Sequence, residues 1–275
     1  MILKKLKYSG IFIYCLILIG LNSCKQKEIQ TSNIKQPIDL VYPQLDSENS
    51  RWFFFSSACR PFGMVNLSPD NQIEGAWGSG YRYNTDTIKG FSHIHAWQLS
   101  GLSIMPVTIS AENKDSIFTD FYSKFSHETE RVAPGYHSVE LDRYQIIAEL
   151  TSTKRVGFHR YAFPENNQAA ILFNLNTMLG PCANTNGTLE KTGDSELAGK
   201  LDCAPTSRRP KPFTVYFKIE LNVAVKSVDF DAVTGNYLVQ IENQGKEVLK
   251  NAATPWINAY RFTNSSSPSD SSPRS

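Results

Sequence analysis

In KGFSHIHAWQLSG, residues 89–101, His93 and His95 stand two apart, with Phe91 and Trp97 beside them and a glycine near each end. If the segment is a strand, side chains two apart project to one face, so the pair could share a metal ion. His127, in Phe125-Ser126-His127, would be the candidate third ligand. That spacing does not by itself define a metal site, and the nearby Glu128 and Glu130 are not at a diagnostic ligand spacing. Hydrogen-bonded or core histidines are the better reading of the pair. Trp77 lies between Gly75 and Gly78. An aromatic ring in a glycine-rich loop offers a flat face for the C–H groups of a sugar, and the competing reading is a plain core aromatic. Cys59, Cys182 and Cys203 are the thiols of the folded region; Cys182 with Cys203 is the natural disulfide pair, and no CxxC is present.

The elements that must position these residues read as strands. In PFTVYFKIELN, Phe213, Val215, Phe217, Ile219 and Leu221 alternate with Thr214, Tyr216, Lys218 and Glu220, a period of two with one buried face. VGFHRYAFP (156–164) sets Val156, Phe158 and Arg160 against His159, Tyr161 and Phe163, and YQIIAEL (144–150), AAILFNL (169–175) and NYLVQIE (236–242) are further short strands. No long stretch has a capped 3.6-residue period. Many short strands separated by Pro, Gly, Asn and Asp predict an all-β fold, an antiparallel β-sandwich of supersandwich type with few helices. Residues 176–212, rich in Gly, Asn, Thr and Pro, read as a long surface loop or short unresolved hairpins.

The ends differ from this middle. Lysines at 4, 5 and 7 precede an apolar run from Ile11 to Leu21, the pattern of a secretory signal over residues 1–23 and too short for a spanning helix. Leu21-Asn22-Ser23-Cys24 resembles the lipobox of bacterial lipoproteins, which makes Cys24 the lipidated residue and the expected location an exported, membrane-anchored one, periplasmic or at the cell surface. Residues 24–40 then read as a tether and 41–250 as the folded domain. Residues 251–275 read as an irregular tail, Ser- and Pro-rich from Asn264 onward. Loss of residues 1–23 removes three lysines and takes the formal charge from +2 to −1. No clustered basic face remains, which excludes nucleic acid as a partner.

Taken in order, PFGMVNLSPD (61–70), W-x-SGYRY from Trp77, GFSHIH (90–95), FSHETERVAPGYHSVELD (125–142) and AELTSTKRVGFHRYAFP (148–164) resemble the N-terminal domain of glycoside hydrolase family 92. The resemblance runs from about Ile38 to Ser207-Arg208-Arg209-Pro210 and more loosely to about Leu249. It implies an α-1,2-mannosidase-like, calcium-dependent exo-glycosidase acting by inversion on the terminal α-mannose of glycans. In that family a larger helical domain carries the general acid, the general base and most of the calcium site. The expectation is therefore a chain without catalytic residues of its own, which binds no calcium and is inactive alone, its helical catalytic domain absent or separately encoded. The resemblance makes Trp77 sugar-facing, and Gly80, Tyr81, His93, His95 and Trp97 shapers of the pocket wall or of the interface with that domain. A non-catalytic, carbohydrate-binding surface lipoprotein is the alternative.

Overall fold

The computed structural model describes residues 35–48, 58–75, 79–95, 99–165, 168–243 and 256–259. The signal segment, Cys24, Trp77, Trp97 and all of the tail except 256–259 lie outside the described residues. The chain divides into residues 1–40 and 41–275. The described part of the first unit holds a short 3-10 turn, Pro37–Leu40.

The second unit is built from strands. In chain order these are β1 (Ala58–Cys59), β2 (Asn66–Asp70), β3 (Thr87–Ile88), β4 (Gly90–His95), β5 (Leu99–Ile109) and β6 (Ser123–Lys124). Next come β7 (Arg131–Ala133), β8 (Tyr136–Leu141), β9 (Ile146–Ser152), β10 (Gly157–Ala162), β11 (Gln168–Phe173) and β12 (Met178–Leu179). The last are β13 (Cys182–Gly193), β14 (Glu196–Cys203), β15 (Phe213–Glu220), β16 (Val225–Phe230), β17 (Tyr237–Ile241) and β18 (Trp256–Ala259). One sheet has seven strands in the order β1-β2-β4-β5-β11-β17-β16, and the other has nine in the order β12-β13-β14-β15-β18-β10-β9-β8-β7. Strands β3 and β6 form a small ribbon. The strand pairs are antiparallel, so the expected all-β sandwich is the fold observed.

The alternating segments behave as their pattern dictates. On β10, Gly157, His159 and Tyr161 are buried and Phe158, Arg160 and Ala162 are half-buried; on β15, Val215, Phe217 and Ile219 face inward. Leu67, Phe91, Ile104 and Leu172 from the seven-stranded sheet join Leu141, Ile146, Leu150 and Ile219 from the nine-stranded sheet in one core. Strand β5 is buried along almost its whole length because neighbouring strands cover its edges and the facing sheet covers its side.

Of the two readings of segment 176–212, the hairpin is the one observed: β13–β14 pairs from Asn184↔Cys203 to Gly193↔Glu196. Register shifts between Thr185 and Thr188 and between Lys191 and Gly193 break its period of two. Leu189 is the one large aliphatic residue on the inward face of β13, so alternation was invisible there. The stretch after Lys250 is not wholly irregular: Trp256–Ala259 forms β18 between β15 and β10, so the sheet extends past the expected boundary.

A row of polar side chains crosses the core between the sheets. The Tyr161 hydroxyl lies 2.9 Å from His159 Nδ1, His159 Nε2 lies 3.0 Å from His93 Nε2, and His93 Nδ1 lies 3.0 Å from the Leu102 carbonyl. A carbonyl only accepts, so His93 Nδ1 carries a hydrogen and its Nε2 is the acceptor. His159 must then donate from Nε2, which leaves its Nδ1 to accept from Tyr161. Both rings are neutral, and the three bonds run in one direction. Gly157 makes room for this: a Cβ there would stand 3.0 Å from His93 Cδ2 and 3.3 Å from Val65 Cγ1.

Burial pushes His93 down to about 4, with the charge of His95 adding to it and the Leu102 hydrogen bond opposing, and burial together with His93 holds His159 well below its ordinary value. In the unfolded chain both histidines take up protons as pH falls through about 6.5. This stabilisation is therefore complete above that pH and is lost on the way down to about 4, a span worth on the order of 3 kcal/mol for His93 alone. Urea unfolding at pH 7.5 and pH 5 should show a loss of about 2 kcal/mol or more. An unchanged unfolding free energy between those pH values would rule out the neutral pair.

Candidate functional site

The site is assembled at the end of β2. Asp70 closes that strand, and the next residues clasp the returning chain: the amides of Asn71 and Gln72 donate to the Gly80 carbonyl, and the Gly80 amide donates to the Gln72 carbonyl. Gly80 holds φ at 112°, a conformation open to glycine and costly for other residues. The clasp fixes both ends of the loop that contains Trp77 and points the chain on to Tyr81.

Tyr81 is buried, and its hydroxyl donates to the Glu130 carboxylate at 2.9 Å. Glu130 is the hub of the region. Gln44 Nε2 donates to Glu130 Oε2 at 3.0 Å, His127 Nδ1 meets the same oxygen at 2.6 Å, and His137 Nε2 meets Oε1 at 2.8 Å. The Glu130 side chain is only 2% exposed. Burial alone would raise its pKa, but the hydrogen bond and charge of His137, with the bonds from His127 and Tyr81, hold it below its ordinary value. Burial and the Glu130 charge push the Tyr81 hydroxyl far up, which keeps it a donor. His127 Nε2–H donates to the Tyr83 carbonyl, and its ring stacks on Tyr83 at 4.0 Å with the planes 13° apart.

Above this hub lies an open cleft of about 720 Å³, lined among others by Asn71, Tyr83, Asn84, Asp86, Lys89 and His127. Tyr83 is 40% exposed and is backed by the His127 ring, so its outer face is a supported aromatic platform. Amide, carboxylate and ammonium groups surround it, with Lys89 paired to Glu74 at 2.7 Å. A rigid ring face among neutral and compensated polar groups suits a hydroxyl-rich ligand better than a strongly charged one.

His93 and His95 do not meet at a common ligand. His93 joins His159 in the core, whereas His95 Nδ1–H donates to the Asn66 carbonyl at 2.7 Å and its Nε2 pairs with Asp70 Oδ1 at 2.7 Å. His127, the supposed third ligand, belongs to Glu130 instead. Gly80, Tyr81, His93 and His95 are thus buried and are not among the residues lining the cleft, while Trp77 and Trp97 lie outside the described residues. Calcium takes several oxygen ligands. Here Glu130 already meets four side-chain partners, whereas Asp70 Oδ1 meets His95 and its Oδ2 is buried without a hydrogen-bond partner; among the described residues no group of three or more His, Cys, Asp or Glu side chains is placed to hold a metal ion. The disulfide expected between Cys182 and Cys203 is not formed; both are buried free thiols. Cys203 stands opposite Asn184, not Cys182, which places the two thiols diagonally across β13 and β14.

Sequence reasoning missed Glu130 as a hub. The available signal was His127 and Glu130 three apart, beside the His137 of the same motif. Gln44 and Tyr81 come from distant positions, and no local pattern connects them.

A model of the glycosyl hydrolase family 92 N-terminal domain matches residues 40–264. No protein of curated function matches the chain. Among solved structures, the chain is similar to the family GH92 α-mannosidase BT3965 of Bacteroides thetaiotaomicron, determined with mannoimidazole. That likeness has 22% identity and a TM-score of 0.66, and covers 81% of this chain and 32% of the mannosidase. The family GH92 inverting mannosidase BT2199 of Bacteroides thetaiotaomicron aligns at 18% identity and a TM-score of 0.61, over 82% of this chain and 32% of that one. The glycosyl hydrolase ccman5 of the same family aligns at 18% identity and a TM-score of 0.57, over 78% of this chain and 31% of that one. The chain thus spans about a third of the length of the structures it matches.

Removing the charge of Glu130 leaves four partners facing a neutral amide. Glu130→Gln should therefore cost on the order of 3 kcal/mol in urea unfolding at pH 7. Because the Glu130 pKa is depressed, its contribution is present above the ordinary carboxyl range and lost as pH falls below it. The difference between the variant and the wild-type chain should accordingly shrink below pH 4. Equal stability at pH 7 would show that Glu130 is not the hub.

Proposed function

We propose, because the chain belongs to glycosyl hydrolase family 92 through its N-terminal domain, that it supplies the sandwich part of an α-mannosidase acting on terminal α-mannose of glycans. The family match over most of the chain carries this reading. Inverting hydrolysis needs two carboxylates, one to protonate the leaving oxygen and one to activate water. Since the mannosidases it resembles are about two and a half times as long, we assign that pair, and any calcium, to a helical partner domain and not to residues of this chain.

In this reading the sandwich forms one wall of the mannose pocket. Trp77 would stack on the sugar, and Trp97 would help to shape the pocket wall. Tyr81, His93 and His95 support the wall from behind through Glu130, the core relay and Asp70. Export and anchoring through Cys24 would hold the domain at the membrane, within reach of external glycans.

A second reading is a non-catalytic, carbohydrate-binding surface lipoprotein. The Tyr83 platform over its open cleft favours it, because it is an aromatic face that needs no second domain.

Incubating the purified chain with α-1,2-linked mannobiose and calcium should release no mannose. Release that a chelator abolishes would overturn the assignment of catalysis to a partner domain. Binding is measured separately, by calorimetry with methyl α-mannoside. Trp77→Ala should weaken it about tenfold, the scale of a single aromatic anchor. A chain with no mannoside affinity at all would remove the second reading and leave the first.

A further inference from the structure

At the start of β13 and the end of β14, two buried thiols lie beside a half-buried cation. Cys182 Sγ lies 3.9 Å from Asn184 Oδ1 and 3.7 Å from the Ala204 carbonyl, and Cys203 Sγ lies 3.5 Å from the same Asn184 oxygen. Both residues are fully buried. Arg209, from the irregular segment 204–212, lies over this corner with its guanidinium 4.5 Å from the Phe213 ring centre. It donates from Nη1 to Ser100 Oγ at 3.3 Å, but its Nε and Nη2 are buried without a hydrogen-bond partner. A buried guanidinium that is not satisfied by acceptors is costly, and the cost falls if an anion forms beside it.

The neighbouring thiol can become that anion. The hydrogen bond from Cys203, followed by the charge of Arg209, brings the Cys182 thiol down to about 7 against the opposing effect of burial. Cys203 shifts the other way, held protonated mainly by its bond to Cys182 and by burial. One sulfur is thus prepared to attack and its neighbour keeps the proton. Cys203, though not Cys182, lines a cleft of about 330 Å³ with Asp202, Pro212, Phe213 and Thr214, so the approach to the corner is from the Cys203 side.

We propose that Cys182 and Cys203 are a redox-active dithiol, with Cys182 the attacking thiolate, Cys203 the resolving thiol and Arg209 a positioning cation, which closes to a disulfide by exchange with a small disulfide. In the first step Cys182 Sγ bonds to one sulfur of that oxidant, whose S–S bond breaks and releases one thiolate. In the second, Cys203 gives up its proton to the released thiolate and bonds to Cys182 Sγ, which displaces the second sulfur as a thiolate that takes up the proton Cys182 released to water on ionising. The pair loses two electrons and two protons, and the oxidant leaves as two thiols. The new bond ties the first residue of β13 to the last of β14, closing the hairpin at its open end.

The full chain is incubated with oxidised glutathione at pH 7, blocked with an alkylating agent, and mapped by mass spectrometry without reduction. The expected product is a peptide linking Cys182 to Cys203, together with a melting temperature about 5 °C higher that dithiothreitol reverses. Cys203→Ser should trap glutathione on Cys182. Arg209→Gln should slow formation of the linked peptide about tenfold at pH 7 and hardly at pH 9.5, where the thiolate forms without help. A purely structural arginine would not produce that pH dependence. Glutathione on Cys59 with Cys182 and Cys203 both still free would overturn the proposal, as would an Arg209→Gln rate equal to wild type at pH 7. If Cys203→Ser does not fold, the wild-type map and the Arg209→Gln rates decide alone.

Discussion

The hydrogen-bonded row from Tyr161 through His159 and His93 to the Leu102 carbonyl is the constraint on which the rest of the sandwich depends. It joins β10 of one sheet to β4 and β5 of the other, through groups that have no water to fall back on. Apolar side chains in a core tolerate small slips, because their contacts are non-directional. A one-way row of three bonds does not, since a shift of one residue would turn His159 to the opposite face of β10. The row therefore sets how the two sheets lie over each other, and Gly157 leaves the space it needs.

From that anchor the geometry passes outward to the cleft in short steps. Fixing His93 fixes β4, and β4 carries His95 to Asp70 at the end of β2. The chain after Asp70 clasps Gly80, and Gly80 delivers Tyr81 to Glu130. Glu130 then gathers Gln44, His127 and His137, and His127 supports the exposed Tyr83 ring. Three of these steps, His95 to Asp70, Tyr81 to Glu130 and Gln44 to Glu130, are directional contacts between segments far apart in the chain. The cleft wall is in this sense an extension of the core, and its shape follows from the same register.

This also explains what could be read in advance. The alternation in β10 and β15 records one wet face and one dry face, a property of the strand itself, so the all-β sandwich was legible. The HxH pair was legible as a feature but not in its role, because its partners His159 and Asp70 are 66 and 25 residues away. The hairpin β13–β14 hid behind small and polar inward residues and two shifts of register. Strand β18 has four residues, too few to show a period, and it is defined by the neighbours it pairs with. The Glu130 hub is the extreme case: its members come from four segments, and only the folded chain brings them together.

Where each kind of polar group sits follows from the cost of removing it from water. An ionised group in the middle of a sandwich faces a desolvation penalty of several kcal/mol, even with partners. The central row avoids it by staying neutral, every hydrogen having one acceptor and every ring nitrogen one role. The ionised Glu130 lies instead beside β7, the last strand of the nine-stranded sheet, where donors from four segments can converge on it. Its charge is offset by those donors, and His127, which meets it, is itself half-exposed. Neutral polarity thus holds register between the sheets and the charged hub ties loops together at the rim, while the buried Asp70 carboxylate is held at the end of β2 by His95. The open cleft beside Tyr83 lies at that rim, where loops must be kept rigid while one aromatic face stays open to solvent.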